Sequence, residues 1–160
     1  MKKENHPVGF RKYIVFSFLG YRMRVHVWPD GLGNDSRHNH RWWFVSVPVV
    51  GKFVETRYRE MAGKSFVKID VTDKDGVRDG DRSYVAKGES ELEVIARRAR
   101  RPLVPYLCPI GAIHSLVPDG SGLHVSVIFC GRPQSETTEI WRLPDRIDVP
   151  LDVDDSREVQ

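Results

Sequence analysis

Two histidines one residue apart, His38 and His40, sit in the stretch HNHRWWFVSVPVVGKFVETRY. On a β-strand, residues i and i+2 project from the same face, so both imidazoles can reach one point. Imidazole is a ligand for zinc, iron, copper and nickel, which makes a shared metal ion one reading. The other is a pair of polar residues on a solvent-facing strand. A second motif, CPIGAIHSLVP, reads Pro109-x-Gly111-x-x-His114. Proline and glycine form a sharp turn. The histidine then enters a new strand, where it can swing back toward a histidine pair on a distant one. Together the two motifs are a sharper signal than either alone.

The elements that must position these residues are strands almost throughout. YIVFSF and YRMRVHVW are rich in β-branched and aromatic residues and short enough for strands. In the second, Met23, Val25 and Val27 alternate with Arg24, His26 and Trp28, and PDGLGND then supplies clustered turn residues. WFVSVPVV is an apolar run in which Pro48 argues for an edge strand or a bulge. Gly51 and Lys52 mark a turn into FVETRYRE, expected as its partner strand. SFVKIDV alternates, TDKDGVRDGDR reads as a polar loop, and LHVSVIFCG and TEIWRL read as strands. In LHVSVIFCG the expected buried set is Leu123, Val125, Val127 and Phe129, which puts His124 on the other face. Only in SELEVIARRARR does a helix compete with a strand. The acidic tail DVDDSREVQ is expected to fray. With no internal repeat and no linker, many short strands with Gly/Pro turns predict an all-β sandwich or barrel.

Composition narrows the function classes. A chain of 160 residues suits one domain spanning 1–160, with its core at about 10–143. No apolar run approaches the roughly 18 to 20 residues of a membrane span. The N-terminus begins with lysines, but Glu4, Asn5, His6 and Pro7 interrupt where a signal peptide needs an apolar centre, so a cytoplasmic protein is expected. Cys108 and Cys130 make no disulfide framework and lack the close spacing of a zinc ribbon. A net charge of +3 does not indicate nucleic acid. Arg97, Arg98, Arg100 and Arg101 form a basic cluster that could meet phosphates, yet it reads better as a solvated strand face or a contact with an acidic partner.

With both motifs in view, the chain resembles the cupin superfamily. The first cupin motif corresponds to the span from GLGNDSRHNH to Gly51, and the second to PIGAIH. A finer likeness, over roughly residues 10 to 143, is to a poorly characterised bacterial group of small single-domain cupins. It rests on His38, His40, Trp42, Gly51, Phe53, Glu55 and the GRP…WRL stretch. The resemblance implies a jelly roll, or double-stranded β-helix, with one metal ion inside the barrel. The sequence also departs from the family's pattern. Phe44 and Val45 stand where the family places a glutamate ligand, Pro118 replaces an asparagine, and Arg41-Trp42-Trp43 replaces Pro-Trp-Asp. The implied metal set is therefore His38, His40 and His114.

Glu55 is the remaining acid of interest. If Val50-Gly51 forms a two-residue turn, Glu55 falls opposite Ser46, which shares a face with Phe44. It would then face the interior about 7 Å beyond the usual ligand position. That suits an acid or base beside the metal, or a ligand through water, better than a direct bond. A slip of one residue would turn it outward.

His26, Trp28, Trp42 and Tyr106 are candidate substrate contacts. The bland reading of each is a solvated face or packing, and free cysteine is often a small core residue. The expected function is a mononuclear metal-dependent cupin enzyme acting on a polar small molecule, with zinc or iron, or else manganese or nickel, as the divalent ion. The alternatives are a non-catalytic ligand-binding or sensor cupin, and a zinc cupin working beside a separate synthetase-like partner in nitrogen–nitrogen bond formation. A homodimer is also expected, since jelly-roll cupins commonly pair through outer strands.

Overall fold

The computed structural model of the chain describes residues 2–5, 10–31, 35–73 and 82–147. Of the polar loop expected over residues 72–82, residues 74–81 fall outside them, as does the acidic tail, while Thr72 and Asp73 end one strand and Arg82 begins another. Eleven strands are present among the described residues: β1 (Lys2–Asn5), β2 (Arg11–Phe18), β3 (Tyr21–Trp28), β4 (Arg37–His38), β5 (Phe44–Val50), β6 (Lys52–Asp73), β7 (Arg82–Arg100), β8 (Tyr106–Cys108), β9 (Ile113–Asp119), β10 (His124–Cys130) and β11 (Thr137–Arg142). A single 3-10 turn, Pro144–Arg146, follows β11. SELEVIARRARR is strand, not helix: Ser90 to Arg100 pair along β6, with Ile95 left out at a register shift.

The strands form two sheets, β1-β2-β3-β10-β5-β8 and β11-β4-β9-β6-β7, with β11 also pairing β6. Within them β3 pairs β10, β4 pairs β9, β5 pairs β8 and β6 pairs β7, all antiparallel. This is one long hairpin whose two arms, β3 to β6 and β7 to β10, run together while crossing between the sheets. Rolling such a hairpin gives a jelly roll. Contacts across the roll hold the sheets face to face, as where Trp28 meets Phe53 with ring centroids 5.0 Å apart.

Gly51 is where the chain changes sheets. β5 and β6 are therefore not the hairpin expected from Val50-Gly51, and Ser46 pairs Tyr106 and Ile128 in place of Glu55. The residue sits at φ +74°, and a side chain there would run into the His124 ring. Only glycine combines that backbone with that close approach. Pro48 lies at the register shift between β5 and β10, where its missing N–H leaves no gap in the ladder.

The inner face of the larger sheet is also inverted relative to expectation. His124, Ser126, Ile128 and Cys130 point inward, and Phe129 is 41% exposed. On β3, Arg24 and Trp28 are buried while Met23, Val25 and Val27 are half-buried. Alternation shows that two faces differ, but the opposing sheet decides which one is enclosed. Apolar atoms are common on protein surfaces, so a valine-rich strand face does not by itself mark the interior.

Two clusters anchor the molecule. Trp42, Phe44, Tyr106, Cys108, Ile128 and Cys130 fill one end of the roll. Tyr58, Phe66, Leu92 and Trp141 form a second, with Ile113 and Leu143 against it. The second exists because FVETRYRE and SFVKIDV are one strand of 22 residues, β6. Its ladder with β7 shifts between Met61 and Phe66, so the far half departs from the barrel and packs along β11.

Candidate metal centre

His38 and His114 are direct cross-strand partners on β4 and β9, and partners in an antiparallel pair point to the same side. His40 lies just beyond β4 and turns the same way, because the residue between them is pinned in the opposite direction. Asn39 accepts from the Glu139 backbone N–H at 2.8 Å, donates through its side chain to the Glu139 carboxylate, and gives its own N–H to the Glu139 carbonyl at 3.0 Å. The turn in PIGAIH completes the arrangement. Gly111, at φ +71°, donates its N–H to the His40 carbonyl at 3.2 Å, tying the two histidine motifs together.

The ligand atoms of His38, His40 and His114 all lie within 4.8 Å of one another. His40 Nε2 and His114 Nε2 are 3.0 Å apart. A metal–imidazole bond of about 2.0–2.1 Å places two nitrogens at right angles on one ion about 3 Å apart, so this separation fits a shared ion. The far sides of two rings are also committed. His38 Nδ1 donates to the Ser36 carbonyl at 2.9 Å and His114 Nδ1 donates to Glu55 Oε1 at 3.2 Å, which leaves each Nε2 lone pair facing inward. Burial, followed by the neighbouring His38 and His114 rings, holds the His40 imidazole well below its usual range. At neutral pH it presents a lone pair, which is the state a metal needs.

Phe44 stands where the resemblance implied that a carboxylate ligand is missing. Its ring packs against both His40, at 4.9 Å between centroids, and His114, at 5.8 Å. An apolar wall has replaced an anion.

Glu55 does face inward, with no exposed surface, though for a different reason from the expected hairpin. It lies on β6 in the same sheet as His114, behind that ring. Oε1 accepts from His114 and from Arg57 Nε at 3.1 Å, and Oε2 accepts from Arg100 Nε at 2.9 Å and from Arg100 Nη2. Burial alone would raise this carboxyl. The hydrogen bonds from His114 and Arg100 and the charge of Arg57 outweigh it and bring the pKa down to about 2. An acid so held is a fixed anion that orients His114, and it is poorly suited to the base role considered from sequence. Glu55, His114 and Cys108 also lie close enough to be weighed as ligands. Burial pushes the Cys108 thiol up to about 12.

The other candidates are distributed along the interior. Trp42 is buried beside His40, with ring centroids 5.9 Å apart. His26 and Trp28 belong to an aromatic group with Phe10, Phe53 and His124. Tyr106 is buried in the first cluster under the Arg100 guanidinium, and burial raises its hydroxyl pKa. The clamp of Arg57 and Arg100 on Glu55 was not foreseen. Arg57, two residues along one strand from Glu55, was detectable in principle; Arg100 was hidden in a run that reads as solvated.

No protein-family model and no curated protein matches the sequence. Among solved structures, the chain is similar to peruvianin-I, a cysteine peptidase from Thevetia peruviana latex, at 18% identity, covering 86% of this chain and 69% of that one with a TM-score of 0.49. It is similar to KdgF from a Halomonas species at 14% identity, covering 82% and 89% with a TM-score of 0.46. An RmlC-like cupin from Shewanella frigidimarina is 14% identical, with 82% and 85% covered and a TM-score of 0.44.

Proposed function

We propose that this jelly roll is of the cupin type and is a mononuclear metal-dependent enzyme acting on a polar small molecule. The observation that carries the reading is the convergence of the His38, His40 and His114 ligand atoms within 4.8 Å of one another. These three residues would hold the ion through nitrogen. A divalent ion bound there supplies Lewis-acid chemistry at coordination positions that three neutral imidazoles leave open. Iron would extend this to oxygen chemistry and zinc would restrict it to non-redox steps; manganese and nickel also accept such ligands.

The chain's own residues prepare the site. Glu55 keeps its charge and fixes the proton of His114 on Nδ1, while the Ser36 carbonyl does the same for His38. Phe44 and Trp42 exclude water beside His40. We include in this proposal a cytoplasmic location and a homodimer. Among the described residues, no helix is long and apolar enough to cross a membrane.

A second reading, a ligand-binding or sensor cupin without turnover, has one specific observation in its favour. The buried acid nearest the triad is saturated by Arg57, Arg100 and His114, so it offers no ready proton acceptor. Metal analysis of protein purified without a histidine tag, beside His38→Ala/His40→Ala, tests the metal centre. Near-stoichiometric metal in the wild type, lost in the variant, is expected. A wild type that carries none, and takes up none when offered iron, zinc, manganese or nickel, removes the metalloenzyme reading. Consumption of a bound ligand separates enzyme from sensor.

A further inference from the structure

The outward face of the larger sheet is as apolar as a core. Arg24, Ser126 and Phe44 turn inward, so their neighbours Val25, Val127 and Val45 turn out. Register then aligns apolar residues across five strands. One row runs Leu107–Val45–Phe129–Met23–Phe16, from β8 to β2. The next runs Val47–Val127–Val25–Tyr13, and beyond it Val125 sits between two more valines. No charged residue interrupts these twelve positions.

A side chain on one face of a sheet covers about 4.8 by 6.8 Å, so the block spans roughly 400 Å². At its margins Phe16 is 49% exposed and Leu107 56%. Single apolar residues on a surface need no explanation, but a contiguous uncharged block of this size marks an interaction site. Tyr21 and Trp43, whose rings each lie 6.0 Å from that of Phe129, extend it at one end.

The chemistry of the face selects its occupant. A two-fold interface lays one patch against itself, so the patch must be complementary to its own copy. A patch of one charge would repel itself, whereas this block has no charge to oppose the match. Two apolar sheet faces pack about 10 Å apart, as the layers of a sandwich do. A standard interface buries about 800 Å² on each partner, and a rim one residue wide brings the block to that size.

We propose that the outward face of β2-β3-β10-β5-β8 is the interface between two copies of this chain, with Val127 near the two-fold axis. β10 is the middle strand of the five, and Val127 is flanked by Val25, Val47, Val125 and Phe129. The inference rests on the homodimer included in the proposed function and names its surface.

Sedimentation velocity of the full chain over a wide range of concentration tests this. The wild type should sediment at twice the chain's 18.4 kDa. Val127→Lys should raise the dimer dissociation constant by about 100-fold, and Leu107→Lys, at the margin, by about 2- to 10-fold. Val94→Lys, at an exposed position on β7 of the other sheet, should leave it unchanged.

If Val127→Lys does not fold, Val127→Cys tests the axis with a smaller change. A bis-maleimide of about 10 Å reach, the spacing of packed sheets, should join two such chains. The wild type, whose Cys108 and Cys130 are buried, should stay unjoined. A wild type that is monomeric throughout overturns the proposal together with the homodimer. A dimer that survives in folded Val127→Lys, or a dimeric Val127→Cys that does not cross-link, overturns the interface and leaves the homodimer standing.

Discussion

Glu55 shows how much a single buried acid can be asked to do. It has no solvent contact, yet it holds two arginines and the proton of His114. Removing its charge by Glu55→Gln leaves Arg57 and Arg100 partly enclosed without an anion. A loss of about 3 kcal/mol in urea unfolding is expected, since breaking a buried ion pair costs more than the pair contributes. Metal affinity should fall by about 10- to 100-fold, as it does when a partner of a metal-binding histidine is removed. The same residue gives a pH dependence. Its pKa in the folded protein, about 2, lies below the ordinary 4.5, so the unfolded chain binds the proton more readily. Its contribution is complete above about 4.5 and is lost as pH falls from there toward 2. Urea midpoints across that range should fall more steeply in the wild type than in Glu55→Gln.

At the scale of elements, two glycines with nearly equal backbone angles have different reasons to exist. Gly51 has φ +74° and faces the His124 ring, whereas Gly111 has φ +71° and open space. Gly111→Ala should cost about 1–2 kcal/mol from the left-handed backbone alone. Gly51→Ala adds a collision at the crossing between sheets, and about 2–4 kcal/mol is expected. Urea denaturation of the two variants checks the order. The short strand β4 poses a related problem, because two residues cannot hold a ligand in place alone. His38 is flanked by Ile140 of β11 and by His114 of β9. β11 is fixed in turn by Trp141, which is 1% exposed in the second cluster. Trp141→Ala should cost about 3–5 kcal/mol and also weaken metal binding, although Trp141 belongs to the other cluster. Metal competition with a chromophoric chelator would detect the second effect.

For the whole molecule, the triad joins both arms of the rolled hairpin: β4 belongs to the first and β9 to the second. An ion held by both acts only on the folded chain. Zinc at about 100 times its dissociation constant should therefore stabilise the protein by about 2.7 kcal/mol. His38→Ala/His40→Ala should show no such gain, and thermal unfolding with and without zinc reads the difference. The roll also manages its exposed edges. β7 is an edge strand, and its exposed side chains include Glu89, Glu93, Arg97 and Arg98. Charges along an edge discourage pairing with another chain, which gives the arginine-rich run a structural role beside the Arg100 clamp.

The sequence by itself determined the chemistry on offer and the class of fold. His-x-His on an extended backbone, a Pro-x-Gly turn before a third histidine, and short β-branched segments are local facts that survive any packing. They made the strands, the Pro48 irregularity and the grouping of His38, His40 and His114 legible. Tertiary structure decided what local pattern leaves symmetric. An alternating strand has two faces, and only the opposing sheet chose Arg24, His124 and Ser126 for the interior over the valines and Phe129. Gly51 reads equally as a hairpin turn or a crossing between sheets, so the route by which Glu55 came to face inward could not be read along the chain. Nor could Arg100 and Asn39, whose partners Glu55 and Glu139 lie far off in sequence and meet them only once the roll has closed.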